Sequence, residues 1–310
     1  MRILVTGATG FVGRPLCRRL ARDGHTVEAW VRNASRARAV LPESVACFEA
    51  DAELDRHVAD SDAFVHLAGE PVVEKRWTEE RKRALADSRI GMADRLSAAL
   101  AKAPRKPRVF VSASGVGYYG DRGDEVLRED AAPGEDFLAR LCVDWEAAAE
   151  RTRSQATRVA CLRTGHVLGP HGGLLRALER PFRLGIGGRL GSGRQFVPWI
   201  ALEDLVAMYA RAVTDERVSG AFNASAPEPV TNAEFTRALG QTLHRPTLLP
   251  VPRFVLSAIF GERAPAMLSS QRAVPAKFQA LGFAFAHTDV RSALRASFEP
   301  GVSSLARTPA

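Results

Sequence analysis

The residues able to do chemistry in this chain fall into two groups. The first is Gly7, Gly10 and Gly13, spaced i, i+3 and i+6 inside MRILVTGATGFVG. A short apolar run (Ile3, Leu4, Val5) precedes them, and a helical apolar pattern (Phe11, Val12, Leu16, Leu20) follows. Glycine at those places permits a tight turn off a strand, close approach of backbone N–H groups to a pyrophosphate, and close packing of a helix on a sheet. The helix then aims its free N–H groups and partial positive charge at the phosphates. Glycine is common in turns; the strand before and the helix after make this triplet a dinucleotide-binding signature. The second group is hydroxyls. Ser112 and Ser114 end the strand-like run VFVSAS, and Tyr118 and Tyr119 follow on a glycine-rich loop. A hydroxyl from Ser112, Tyr118 or Tyr119 can polarise a substrate oxygen and exchange a proton with it. The plainer alternative is that the serines satisfy backbone groups and the tyrosines pack.

A second strand, HTVEAWVRN, alternates Val27, Ala29 and Val31 and ends in Arg32. An NAD-binding chain usually carries a carboxylate here for the ribose 2′-OH; a guanidinium instead pairs with a 2′-phosphate. NADP is therefore expected over NAD, unless Arg32 is only a solvated loop cation.

The elements that position these groups read as alternating strands and helices. Further strands are expected at VACFEAD, SDAFVHLAG, VFVSASGVGYYG, VACLRTGHVLG and GAFNASAP. Ala68 and Gly69 are small residues at a strand's C-terminal end, where a ligand crevice needs room. Between two of these strands lies a loop followed by one long amphipathic helix with Leu85, Ile90, Met92 and Leu96 on its apolar stripe and Ser88-Arg89 near its middle. Alternation of this kind means βαβ units and a parallel sheet. The expected fold is α/β, a Rossmann-type doubly wound parallel sheet with a smaller C-terminal α+β lobe. Residues 1–165 and 196–225 are assigned to the dinucleotide lobe, 166–195 and 226–300 to a substrate or cap lobe, and 301–310 to a tail. PEPVTNAEF supplies a Thr/Asn N-cap ahead of a helix bearing Phe235 and Leu239.

Composition excludes several classes. With 46% hydrophobic and 25% charged residues over 310 positions, the chain is an ordinary globular protein. No apolar run reaches the length of roughly 20 residues that a membrane span needs. The N-terminus reads as a strand rather than a signal peptide, so a cytoplasmic protein is expected. Cys17, Cys47, Cys142 and Cys161 are scattered without metal-ligand spacing and read as reduced. No metal site is expected. The net charge is +8, yet aromatic and basic residues do not interleave as in single-strand binders, so nucleic acid is not an expected partner.

GATGFVG, HLAGEPV, RWTEERKRALADSRI, SASGVGYYG, RTGHVLG, GSGRQFVPWIALEDL, NASAPEPVTNAEF and PAKFQALGF together resemble the atypical extended short-chain dehydrogenases/reductases. This group is labelled NAD-dependent epimerase/dehydratase-like or "cell division inhibitor-like", and it ends in a small C-terminal domain of unknown function. The resemblance covers roughly residues 1 to 297. It implies that Gly7, Thr9, Gly10, Phe11, Val12 and Gly13 hold the pyrophosphate, and that Val31 and Arg32 meet the adenosine ribose and its phosphate. Leu67, Ala68 and Gly69 would line the adenine or ribose side, Arg89 would reach the dinucleotide, and His166 and Val167 would flank the nicotinamide. Arg89 as a solvated helix cation and His166 as a loop residue without a chemical role are the alternatives.

Ordinary members of that superfamily exchange protons through Tyr-x-x-x-Lys on a helix. The corresponding stretch here, EDFLARLCVDWEAAAE, has neither Tyr nor Lys. Glu70, His171, Trp199 and Asp204 are weaker candidates for polar or pocket roles. The resemblance therefore implies an NADP(H)-dependent oxidoreductase or epimerase acting on a small carbonyl or hydroxyl compound, a nucleotide-sugar among the candidates. The rival is a non-catalytic NADP(H) sensor or assembly factor. Helices over Arg81 to Leu100 and Leu138 to Glu150 would form any pairing surface; their outer faces are fairly charged, which points to a monomer or weak homodimer.

Overall fold

The computed structural model describes residues 1–49, 51–170 and 172–298. Strand β1 (Arg2–Thr6) leads through the glycine turn into α1 (Gly13–Arg22), and β2 (Thr26–Trp30) into α2 (Ala34–Arg38). Strand β3 (Val45–Phe48), α3 (Asp51–Asp60) and β4 (Ala63–His66) follow. Then come α4 (Glu79–Ala86), α5 (Met92–Lys102) and β5 (Val109–Gly115). The strands Arg158–Thr164 and Gly220–Ala224 complete a seven-stranded sheet, whose order from that last strand is Gly220–Ala224, Arg158–Thr164, β5, β4, β1, β2, β3. The pairings β1·β2, β1·β4, β2·β3 and β4·β5 are all parallel. The order reverses direction at β1, so the loops after β1 and β4 open a crevice at the strands' C-terminal ends.

The strands are near-continuous apolar runs because helices cover both faces of a parallel sheet. Ile3, Leu4 and Val5 are fully buried, as are Val109, Phe110 and Val111. Leu4, Phe64 and Phe110 pack with Leu96 and Leu100 of α5 in one core cluster. Helix α1 stops at Asp23, and Gly24 follows with φ +82°, the left-handed residue that closes many helices.

The chain divides into two compact units. The first is Met1–Ser114, Leu141–Leu162 and Val206–Phe222; the second is Gly115–Arg140, Arg163–Leu205 and the described residues from Asn223 on. Residues 115–140 and 196–205, assigned above to the dinucleotide lobe, thus belong to the second unit. There Tyr119 and Leu127 pack with Ala273. A separate core joins Leu168, Trp199, Phe235, Leu239 and Leu294. The Thr231 cap is as expected and forms a capping box with Glu234.

Two expectations about elements change. VACLRTGHVLG is not one strand. It breaks at Gly165, after which His166–Leu168 pairs with Trp199–Ala201 in a separate two-stranded sheet. The expected long helix is two helices joined by a π-helical turn at Asp87–Gly91. An extra residue in the turn rotates the following side chains, and this is a device often met at functional sites.

The junction of β1 and α1 is packed backbone to backbone. A Cβ on Gly13 would press into the Gly7 carbonyl oxygen and come within 2.8 Å of Ala8 Cα. Gly7 itself has φ +70°, and its Cβ would stand 2.7 Å from the carbonyl carbon of Leu67. Both neighbours are backbone and cannot swing away. Gly13→Ala should therefore destabilise the protein by about 1–3 kcal/mol, read as a lowered urea midpoint with an unchanged m-value.

Candidate functional site

The turn after β1 offers an anion-binding surface. Thr9 and Gly10 are exposed, and Phe11 and Val12 are half-buried. No side chain caps α1, and its first turn holds no acidic residue. Among the described residues beyond its chain neighbours, a Cβ on Gly10 would meet one heavy atom within 4 Å, the Gly7 carbonyl oxygen at 3.1 Å. Backbone N–H groups at an uncapped helix N-terminus fit a dinucleotide pyrophosphate.

Beside this turn the first unit holds a buried polar chain. The His66 ring, fully buried, lies 2.8 Å from Thr6 Oγ1 through Nδ1 and 3.1 Å from the Arg89 carbonyl oxygen through Nε2. A carbonyl can only accept, so Nε2 carries the proton and Nδ1 accepts from the Thr6 hydroxyl. The Ala68 N–H donates to Thr6 Oγ1 at 3.4 Å, and the Leu67 N–H donates to the Thr6 carbonyl at 3.2 Å. This chain ties β1, the loop after β4 and the π-turn together.

Arg89 sits in that π-turn and is buried, not a solvated helix cation. Its Nη1 donates to the Leu85 carbonyl at 3.1 Å and Ser88 Oγ at 3.2 Å, and its Nη2 donates to the Glu70 carbonyl at 2.8 Å. The guanidinium lies 5.1 Å from the Trp145 ring centroid, within cation–π range. A Cβ on Gly69 would come 3.0 Å from Arg89 Cζ, so glycine there makes room for the guanidinium. The Trp145 indole Nε1 is buried and has no hydrogen-bond partner among the described residues.

At the far edge, Arg32 is almost fully exposed, with Nη1 3.6 Å from Glu70 Oε1. Glu70 Oε2 lies 3.1 Å from Arg81 Nη1. The Val31 N–H donates to the Phe48 carbonyl at 3.0 Å, so Val31 is held at the end of β2 and Arg32 follows it.

The candidate hydroxyls divide. Ser112, on β5, is fully buried; its Oγ donates to the Ala113 carbonyl at 2.9 Å and it pairs with His66 across the sheet. That hydroxyl is spent on a carbonyl, which cannot take up a proton as a carboxylate can, and this argues against the proton-exchange role considered above. Two residues on, Ser114 donates to Glu146 Oε1 at 2.7 Å, with Glu146 on the helix Phe137–Glu150. Tyr118, Tyr119, His166 and Val167 belong to the second unit. Tyr119 is fully buried; its hydroxyl donates to Asn223 Oδ1 at 2.7 Å and accepts from Arg163 Nη1 at 3.0 Å. Burial pushes its pKa up to about 12. Tyr119 is therefore a framework residue, corrected from proton donor: its one proton is already committed and its ionised form is disfavoured. Tyr118 stacks on the Arg163 guanidinium, 3.4 Å from ring centroid to Cζ. His166 is exposed and donates its N–H to the Pro198 carbonyl at 2.6 Å, and Val167 pairs with Ile200. Trp199 is a core residue whose Nε1 donates to the Glu228 carbonyl. Asp204 is buried and accepts the N–H groups of Ala286 and His287. His171 lies outside the described residues. His66 and Glu146 escaped the sequence reading. A histidine ending an otherwise apolar strand was the available signal for the first; nothing local marked the second.

A doubly wound parallel sheet with a glycine-lined anion site at its switch point defines a Rossmann-type nucleotide-binding class. The family model described as NAD dependent epimerase/dehydratase family matches residues 3–225, and a domain of unknown function, DUF1731, matches residues 251–297. The chain belongs to the NAD-dependent epimerase/dehydratase family. An epimerase family protein of Mycobacterium bovis is 41% identical over 305 residues, covering 96% of this chain and 98% of that protein. The human epimerase family protein SDR39U1, crystallised with NADPH, is 34% identical with a TM-score of 0.86, covering 96% of this chain and 99% of that one. A nucleoside-diphosphate sugar epimerase from Corynebacterium glutamicum is also 34% identical with a TM-score of 0.75, over 96% of this chain and 58% of that one. No helix among the described residues is long and apolar enough to cross a membrane.

Burial lowers the His66 pKa from its ordinary 6.5 to about 4. The folded state therefore prefers the neutral ring, and the unfolded chain binds the extra proton first as pH falls. The stability this supplies is complete above pH 6.5 and is lost on descent toward about pH 4. The loss is roughly 3 kcal/mol. Denaturant unfolding across that window should show this slope, and the slope should shrink in His66→Asn.

Proposed function

We propose that the protein binds NADP(H), in preference to NAD(H), and serves as an oxidoreductase or epimerase for a small carbonyl or hydroxyl compound. The observation that carries this reading is the uncapped, acid-free N-terminus of α1 behind the Gly7–Gly13 turn, with the exposed Arg32 guanidinium at the end of β2. The likeness to a human protein crystallised with NADPH supports it. Gly7, Thr9, Gly10, Phe11, Val12 and Gly13 would hold the pyrophosphate. Val31 and Arg32 would hold the adenosine ribose end, and Leu67, Ala68 and Gly69 with Arg89 the side next to it. His166 and Val167 would stand at the nicotinamide end. The bound nicotinamide would supply or take up hydride.

The proton falls to this chain's own groups. Ser114 ends β5 with its hydroxyl on the Glu146 carboxylate. In the oxidative direction a substrate hydroxyl gives its proton to Ser114 Oγ as the Ser114 proton passes to Glu146; in reduction the transfers reverse. This pair takes the place of Tyr-x-x-x-Lys. The partner is a small molecule met in the cytoplasm by a monomer or weak homodimer.

A second reading, a non-catalytic NADP(H) sensor or assembly factor, draws on the missing Tyr-x-x-x-Lys and on the committed Tyr119 hydroxyl. Titration should show saturable NADPH binding, and Arg32→Gln should weaken it by about tenfold. Turnover of a carbonyl panel, followed at the nicotinamide absorbance, should fall by about 100-fold in Ser114→Ala and Glu146→Gln. Tyr119→Phe should cost stability, about 1–3 kcal/mol, with kcat retained. No saturable signal with either coenzyme sinks the reading. Tight NADPH binding with no turnover and a co-purifying protein favours the sensor.

A further inference from the structure

Glu70 stands between two cations that no other carboxylate of the described residues reaches at that edge. Its Oε1 is 3.6 Å from Arg32 Nη1 and its Oε2 is 3.1 Å from Arg81 Nη1. The cations come from separate elements, the end of β2 and the first turn of α4. The Arg81 side chain is nine-tenths buried, its Nη2 donates to the Pro71 carbonyl, and its Nε has no hydrogen-bond partner among the described residues. A buried guanidinium with a spare donor is one partner short.

The Glu70 main chain is clamped while its side chain is not. Its N–H donates to Ser88 Oγ at 3.0 Å, and its carbonyl accepts from Arg89 Nη2 at 2.8 Å. Both partners belong to the π-turn. The side chain is 34% exposed and its carboxylate bridges the two guanidiniums. One anionic group shared between two guanidiniums is also how a phosphate monoester is held.

We propose that Arg32 and Arg81 together form the seat of the coenzyme's ribose 2′-phosphate, and that Glu70 fills this seat until the phosphate displaces it. The inference rests on the NADP(H) reading above and adds a second cation and an internal competitor. A phosphate carrying nearly two charges takes both guanidiniums more strongly than one carboxylate does, but it must first turn Glu70 out, because the two anions repel. A ribose with a free 2′-OH needs no such displacement and can donate to the Glu70 carboxylate where it stands. Glu70 thus narrows the gap between NADPH and NADH, while Arg81 widens it.

Fluorescence titration of the full-length protein with NADPH and with NADH tests this, with 2′,5′-ADP and 5′-ADP as competitors. Glu70→Gln leaves the main-chain hydrogen bonds intact and should move the NADH-to-NADPH ratio of Kd about tenfold toward NADPH. Arg81→Gln, an independent variant on another element, should weaken NADPH and 2′,5′-ADP by about tenfold while NADH and 5′-ADP change far less. A thermal melt on each variant checks folding. Ratios unmoved in both variants, or Glu70→Gln weakening NADPH, overturn the role of Glu70 while wild-type binding keeps the coenzyme reading. Wild-type protein that binds neither coenzyme defeats both.

Discussion

The contact between Gly13 and the Gly7 carbonyl is the constraint on which the rest of the first unit depends. A helix axis can approach a strand's exit turn this closely only where no Cβ intervenes. That approach puts the first N–H groups of α1 at the C-terminal end of β1, beside the loop after β4. The absence of a capping side chain and of acidic residues in the first turn leaves the helix end electropositive.

His66 and Arg89 extend the same constraint inward. A fully buried neutral imidazole takes one hydrogen bond from Thr6 and gives one to the Arg89 carbonyl. Buried polar chains of this kind specify a single arrangement because each member left unpaired costs free energy. Here the chain fixes the π-turn, the π-turn clamps the Glu70 main chain, and the Glu70 side chain meets the two arginines at the edge. The hydroxyl-bearing side chains are likewise sorted by their partners. Tyr119, conspicuous in the sequence, spends its hydroxyl on Asn223 and Arg163 inside a core, whereas Ser114 meets a carboxylate from a helix thirty-two positions away.

Much of the fold was legible beforehand, because its signals are local. The glycine spacing, the strand runs and the Thr231 cap each depend on residues within one or two turns of each other. The break at Gly165 and the π-turn at Asp87–Gly91 were not legible. Each depends on what a segment packs against, and a helix-forming pattern does not reveal an added residue in one turn. The Ser112 and Tyr119 readings departed from the structure for a related reason: composition says that a hydroxyl is present, not whether a distant partner has already taken it.

The amino-acid sequence by itself determined the parallel α/β architecture, the glycine turn and the guanidinium at the end of β2, since backbone freedom, apolar periodicity and side-chain charge are properties of the residues themselves. Only the tertiary structure decided which hydroxyl meets a carboxylate, which arginine is buried, and that Glu70 bridges two cations. Those outcomes turn on distances between residues far apart in the chain, and packing sets such distances where local chemistry cannot.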